Sequence, residues 1–490
     1  MSVFLRAIIY VIFLVHSIEV FADGSKDLYP NGVRGGRAFM ESVTYQNGQL
    51  THNYYNHARH FAYVQKDETL AVASSAQGVR GGTIRIVSPS GRQYSTGNDV
   101  LGKISGSSGF TNRQAELAGP RVGYQPFEIT AQEDGIWMIE FLTPDSTANN
   151  NAIPNVGAND NWTQPDNQNV ITAWDVSVRN KSDTEWLSGR VFVNVLHIHG
   201  DNMANINRAY FGVNYVLTKD GYYYKVDGNG SIGLKFTYFV NNSGILNSEN
   251  TPSYKSSTEG YNARLHNPNS KDIGNEFVTH KIFYTVPNAD LPQNSHSALG
   301  STWLLNDVQI PSVKNIKVGS SESTENNINT KGSEISFQTN YAGRYKVIVR
   351  SIDENINFMP WESIVQGQIG ENKFVWPGID GNGNLVPGGS YSIQVSISSI
   401  EGEVHFPYFD METNPNGLKL ERLNRDNGLL EPAIIYWDDS DIPRGNNIAE
   451  HSNPIVNLEG ILSNVNGHRW GTYTMSTGSV NNNLFTGSNS

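Results

Sequence analysis

Short runs with an apolar residue at every second position, each closed by Gly, Pro, Asn or Asp, recur along this chain from residue 69 to residue 442. A period of two puts alternate side chains on opposite faces of an extended strand, and closely spaced turn residues fold such strands back on one another. The clearest case is 133–142, EDGIWMIEFL, where an Asp-Gly turn leads into Ile136, Met138 and Glu140 alternating with Trp137, Ile139 and Phe141. Composition agrees. Only 17% of residues are charged, 11% are aromatic and 47 are glycine, which disfavours helices and favours strands and turns. The expected fold class is all-β, with several β-sandwich or jelly-roll and immunoglobulin-like domains in tandem.

At 490 residues the chain exceeds one core, and a prior of roughly 150 residues per domain suggests about three. Runs at 69–76, 82–90 and 133–142 make a first sandwich over 23–145, and the Asn/Pro/Asp-rich stretch 146–169 reads as a surface loop or linker. Runs at 171–179, 189–199, 210–225 and 234–241 make a second over 170–310, with a hairpin turn at Lys219-Asp220-Gly221. Strands at 334–338, 343–351 and 374–395 make a unit over 313–405 of immunoglobulin-like length. A β extension with an acidic turn follows at 406–463, and 464–490 reads as an Asn/Gly/Ser-rich linker or truncated end.

The first 22 residues read as a secretory signal peptide: Arg6 precedes the apolar run 7–15, and Val20-Phe21-Ala22 presents small or apolar residues to the peptidase. A membrane anchor is the competing reading, but His16 and Glu19 interrupt a run already short for a span. No later run approaches spanning length, so no membrane span is expected in the mature chain, and without cysteine there is no acylation site. The expected location is secreted, extracellular or on the bacterial cell surface. With 35 basic against 47 acidic residues, neither nucleic acid nor an anionic membrane is an expected partner. An extracellular surface, a glycan or a protein ligand is.

Chemistry-bearing clusters are few. His197, His199 and Asp201 in HIHGD place two imidazoles on one strand face with a carboxylate nearby, a weak candidate for a metal site; exposed histidines at a strand end explain the pattern equally well. Asp438, Asp439 and Asp441 beside Trp437 offer carboxylates for a cation or for glycoside hydrolysis, and Trp437 a platform for a sugar; a solvated turn is the simpler reading. Asp227, Asp353 and Asp380 begin Asp-x-Asn patterns that copy the start of a calcium loop, yet their sixth positions are Ile232, Phe358 and Leu385 where that loop needs Gly. Asx turns account for them, with calcium the one cation such turns could bind; no cofactor is otherwise expected. No nucleophile elbow, zinc-protease helix motif or phosphate loop occurs, and no enzyme activity is expected.

The segments GSKDLYPNGVRGGRAF at 24–39, AELAGP at 115–120, HFPYFDMETNPNGLKLE at 405–421 and IIYWDDSDI at 434–442 resemble the N-terminal region of very large Bacteroidota cell-surface proteins, described as gliding-motility-associated or adhesin-like. Separately, WPGIDGNGNLVPGGSY at 376–391 is similar to a hairpin of the immunoglobulin-like domain in flagellar hook-capping proteins and many type IX-secreted proteins. Trp376, Gly378, Asp380, Gly383, Val386, Pro387, Gly389 and Tyr391 match, and in that family the motif is structural. The resemblance implies an outward display region at the outer membrane, serving adhesion or surface and matrix interactions; family members continue into immunoglobulin-like repeats and a sorting domain, a pattern from which this sequence departs by stopping at Ser490 in what reads as the linker before them. The alternative is an exported carbohydrate-binding module or a fragment of a polysaccharide-degrading enzyme.

Overall fold

The computed structural model describes residues 23–470 apart from 42–44, 47–48, 51–57, 98–99, 108, 145–152, 201–208, 257–276, 309, 321–331, 390, 407–408, 424–427, 443–451 and 453. The expected signal peptide, the polar tract 321–331 and the tail 471–490 lie outside these residues. The fold is all-β, built of several antiparallel sheets. No helix among the described residues is long and apolar enough to cross a membrane.

Three sheets form the body. In one, Asp23–Gly24, Trp174–Arg179, Thr69–Ser74 and Phe127–Thr130 lie side by side. In a second, the central strands Gly135–Leu142, Arg59–Val64, Val191–Val193, Lys281–Phe283, Val213–Leu217 and Tyr223–Asp227 run in that spatial order. The third orders Val170–Ile171, Phe39–Glu41, Leu196–His199, Ile232–Tyr238 and Phe409–Thr413. The alternation at 133–142 reports a strand covered on both faces. Trp137, Ile139 and Phe141 enter the main core with Trp174, Val216 and Trp470, while Ile136 and Met138 enter a second cluster with Phe61, Phe192 and Leu217. Glu140, at the strand end, pairs with Arg59 at 2.7 Å.

This pairing revises the domain reading. Trp174–Arg179 lies between Thr69–Ser74 and Asp23–Gly24, and Val191–Val193 pairs with Arg59–Val64, so 23–145 and 170–310 interleave in shared sheets. Strands buried on two faces need neighbours from distant sequence, which local periodicity does not encode. Nor is 153–169 a surface linker: Trp162 and Ala158 are buried, and Arg37 N donates to Val156 O at 2.9 Å.

The unit at 313–405 is a sandwich of two three-stranded sheets, Val313–Ser320, Ser333–Thr339 and Gly370–Trp376 against Trp361–Gly367, Gly343–Ser351 and Ile393–Ile400. Ile335, Val347, Val349, Phe358 and Trp376 fill its core. The strands flanking the 380–384 turn do not pair as a hairpin: Gly370–Trp376 belongs to one sheet and Ile393–Ile400 to the other, so 377–392 is a corner between layers. Beyond it the chain returns to the body. Lys419–Leu423 pairs with Tyr223–Asp227, and Asn414 and Trp470 exchange backbone hydrogen bonds. The sandwich is therefore an insertion in the body, and 464–470, read as linker, packs Trp470 into the main core.

Candidate functional site

The acidic turn follows the strand Ile434–Asp438, which pairs with Val456–Leu462. Its three carboxylates serve three separate ends. Asp438 Oδ1 accepts from Ser440 N at 2.9 Å, closing the turn, and the exposed Asp441 pairs with Lys255 at 3.2 Å. Asp439 points inward and is 5% exposed; its Oδ1 accepts from Ser256 Oγ at 2.6 Å, and its Oδ2 meets His468 Nε2 at 2.6 Å and the Ser452 hydroxyl. Trp437 is 2% exposed, donates from Nε1 to Pro454 O at 2.7 Å and stacks on His468 at 4.9 Å. It is no sugar platform, and the three acids do not converge on a cation.

Asp, His and Ser together have the composition of a hydrolytic triad, but the geometry differs. A relay needs the carboxylate at one imidazole nitrogen and the hydroxyl at the other. Here Ser452 Oγ, at 3.1 Å, and Asp439 both face Nε2 of His468. Burial pushes the Asp439 carboxyl up, but the hydrogen bonds and charge of His468, aided by Ser256 and Ser452, outweigh it and hold the group below its ordinary range. The cluster acts as a buried tie joining 256, 437–439, 452 and 468.

His197 and His199 are each 2% exposed, not solvent-facing. Their strand lies between Phe39–Glu41 and Ile232–Tyr238. Glu41 Oε2 sits 3.5 Å from His197 Nε2 and 3.7 Å from His199 Nδ1, and Thr237 Oγ1 is 2.8 Å from His197 Nδ1. Asp201 lies outside the described residues. Among the described residues, no group of three or more His, Cys, Asp or Glu side chains is disposed to hold a metal ion.

Each Asp-x-Asn pattern is an Asx turn: Asp227, Asp353 and Asp380 accept through Oδ1 from the amide two residues on, at 2.8, 2.9 and 2.9 Å. Asp380 also accepts from Asn384 N at 2.8 Å. Gly378, Gly383 and Gly389 have positive φ, Trp376 Nε1 donates to Ile379 O at 2.9 Å, and Tyr391 and Val386 pack on the sandwich core; Pro387 follows Val386 in the same corner.

The quoted segments 24–39 and 115–120 meet inside the body. Glu116 accepts from Ser25 Oγ at 2.5 Å, Arg113 Nη1 at 2.8 Å, Trp162 Nε1 at 2.8 Å and Arg37 Nη2. Burial alone would raise its carboxyl; the guanidiniums of Arg37 and Arg113 overrule it and hold the group below its usual value. Beside this cluster, burial raises Asp23 to about 6 and Asp175 to about 7.

Among the described residues, two of the surface clefts gather charged side chains. One of about 530 Å³ lies where the sandwich joins the body, among Asp220, His280, Arg344 and Glu403. Arg344 pairs with Glu403 at 2.5 Å, His405 Nε2 meets Glu403 at 2.6 Å, and Asp220 Oδ2 accepts from Gly402 N at 2.8 Å, so its charges fasten the joint. The other, of about 340 Å³, is lined by Arg34, Asn229, Asn416, Lys419, Ser463, Asn464, Val465, Gly467 and Arg469. It has three cations and no acid in its lining. Sequence reading missed it because its basic residues stand singly, in GVRGG, GLKLE and GHRWG, with Arg34 far from the other two in sequence.

No protein-family model matches the chain. No curated protein matches it either. Among solved structures it is similar to the crystal structure of a DUF4785 family protein from Legionella pneumophila, at 8% identity over 80% of this chain and 86% of that one, with a TM-score of 0.12. A TM-score of that size carries no argument about fold or function.

Proposed function

We propose that this chain is a non-catalytic secreted or cell-surface protein, the outward N-terminal display part of an adhesin-like protein that attaches to an extracellular surface by complementarity. One observation carries the reading. Of the candidate catalytic or metal-ligating side chains, Asp439, His468, Ser452, His197 and His199 are buried inside the body, where Asp439, His468 and Ser452 join separate segments, while the exposed Asp441 pairs with Lys255. Residues of the quoted motifs (Ser25, Arg37, Glu116, Trp437 and Asp439) build such ties, which supports an architecture shared with the resembling proteins and a surface left free to vary. A carbohydrate-binding module or degradative enzyme working through Trp437 and the acidic turn needs those side chains at the surface, and the burial of Trp437 and Asp439 weighs against it.

The purified mature chain is expected to bind the surfaces its source cells colonise and to block their attachment. Trp437→Ala and Asp439→Ala should lower thermal stability while leaving attachment per folded molecule unchanged. Release of reducing sugar from a polysaccharide, abolished by Asp439→Ala in a chain that still folds, would sink the proposal.

A further inference from the structure

We infer that the 340 Å³ cleft is a binding site for an acidic sugar unit, one carrying a carboxylate or sulfate, on an extracellular polysaccharide. This deepens the attachment reading and rests on it. Arg34, Lys419 and Arg469 line the cleft, all three are exposed, and none forms an ion pair among the described residues. Elsewhere the chain pairs its cations extensively, as at Arg37, Arg121, Arg179, Arg190 and Arg344. Three unneutralised cations converging on one concavity, in a chain with 35 basic and 47 acidic residues, repel one another unless an anion joins them.

The walls are fixed before any ligand arrives. Asn416 Nδ2 donates to Asn229 O at 2.9 Å and Asn229 Nδ2 to Gly417 O at 2.8 Å, which leaves each amide an Oδ1 to accept from a hydroxyl. Ser463 Oγ is locked to Leu420 O at 2.6 Å. A Cβ on Gly417 would stand 2.6 Å from the Gly467 carbonyl carbon, so only glycine lets the two segments carrying Lys419 and Arg469 meet. Arg34 is held by its guanidinium lying 4.1 Å over the Phe211 ring. A rigid wall with charged heads already gathered loses little entropy on binding. Sugar chemistry satisfies both halves of the lining: the anion meets the guanidinium and ammonium groups, and ring hydroxyls meet the amide oxygens.

Binding of the mature full chain to alginate (carboxylate only), dextran sulfate (sulfate only) and neutral dextran tests this by titration calorimetry at low and physiological salt. One or both acidic polymers should bind, weakening as salt rises, and neutral dextran should not. The triple variant Arg34→Gln/Lys419→Gln/Arg469→Gln should lose about tenfold or more in affinity, with a melting temperature changed only by the loss of the Arg34–Phe211 contact, because all three side chains are exposed. Lys317→Gln, on the inserted sandwich, should bind as wild type. Equal affinity of the triple variant, or no acidic polymer bound by a chain that still blocks attachment, overturns the cleft assignment and leaves the attachment reading standing. Tighter cleft-dependent binding of single-stranded DNA than of either polysaccharide overturns the sugar assignment. Failure to block attachment, with cleft-dependent binding of alginate retained, overturns the attachment reading and leaves the cleft.

Discussion

At the scale of single residues, the buried carboxylates divide into two kinds that respond oppositely to pH. Glu116 is held below its ordinary range by the guanidiniums of Arg37 and Arg113 and Asp439 by its hydrogen bonds with His468, Ser256 and Ser452, so the stability they contribute is present above the unfolded carboxylate pKa and is lost as pH falls through their folded values. Asp23 and Asp175 are raised by burial to about 6 and about 7. The folded chain keeps their protons where the unfolded chain has released them, so their favourable contribution is complete below the unfolded value and disappears as pH rises through 6 to 7. Buried His60, lowered to about 4, opposes this over part of the same range. The net slope is therefore a poor test and a variant difference a better one. Asp175→Asn is expected to be more stable than wild type at pH 8, by on the order of a few kcal/mol, with the gain vanishing by pH 4; urea melts at both pH values check it. Glu116→Ala strands Arg37 and Arg113 inside the body and should cost about 3–5 kcal/mol, read as a lowered denaturation midpoint at pH 7.

Glycine and Asx chemistry decides how the elements are joined. The corner 377–392 passes from one layer of the sandwich to the other, and Asp380 holds its tip by accepting two backbone amides. Asp380→Ala should destabilise the sandwich by roughly 1–2 kcal/mol, the net worth of two such bonds, with Trp376 fluorescence reporting the transition. Gly417 has φ of 71° and lies against Gly467. Alanine there meets both an unfavourable backbone conformation and a backbone clash, so Gly417→Ala should cost more than about 1 kcal/mol and loosen 463–470, exposing Trp470 to a fluorescence quencher. An unchanged Trp470 environment would show that the two segments have another way to meet.

For the whole molecule, the insertion of the sandwich makes the sequence after it part of the body. Lys419–Leu423 covers the edge of Tyr223–Asp227, and Trp470 completes the main core. A chain ended after residue 405 leaves that edge open and that core incomplete, and it should be recovered as aggregate, whereas one ended after residue 470 should be soluble and fold cooperatively. Deleting 313–399 and bridging the gap with a short flexible linker should spare the body, since the chain before the sandwich, at Asn306 and Asp307, and the chain after it, at Ile400 and Glu403, line the same cleft. Circular dichroism melts of the three chains separate these outcomes.

Sequence alone determined the all-β class and the turns at Lys219-Asp220-Gly221 and 380–384, because strand period and turn conformation are written in neighbouring residues. It also marked Asp439, Trp437, His197 and His199 as unusual without saying that they face inward. Only the tertiary structure decided that 23–145 and 170–310 share sheets, that the sandwich interrupts the body, and that 153–169 and 464–470 each send a tryptophan, Trp162 and Trp470, into a buried cluster. The same holds for the basic cleft, whose Arg34 and Arg469 lie at opposite ends of the described chain. The physical reason is common to all of these: strand pairing, burial and charge convergence depend on which distant segments meet, and closing long loops to bring them together leaves no mark in local periodicity.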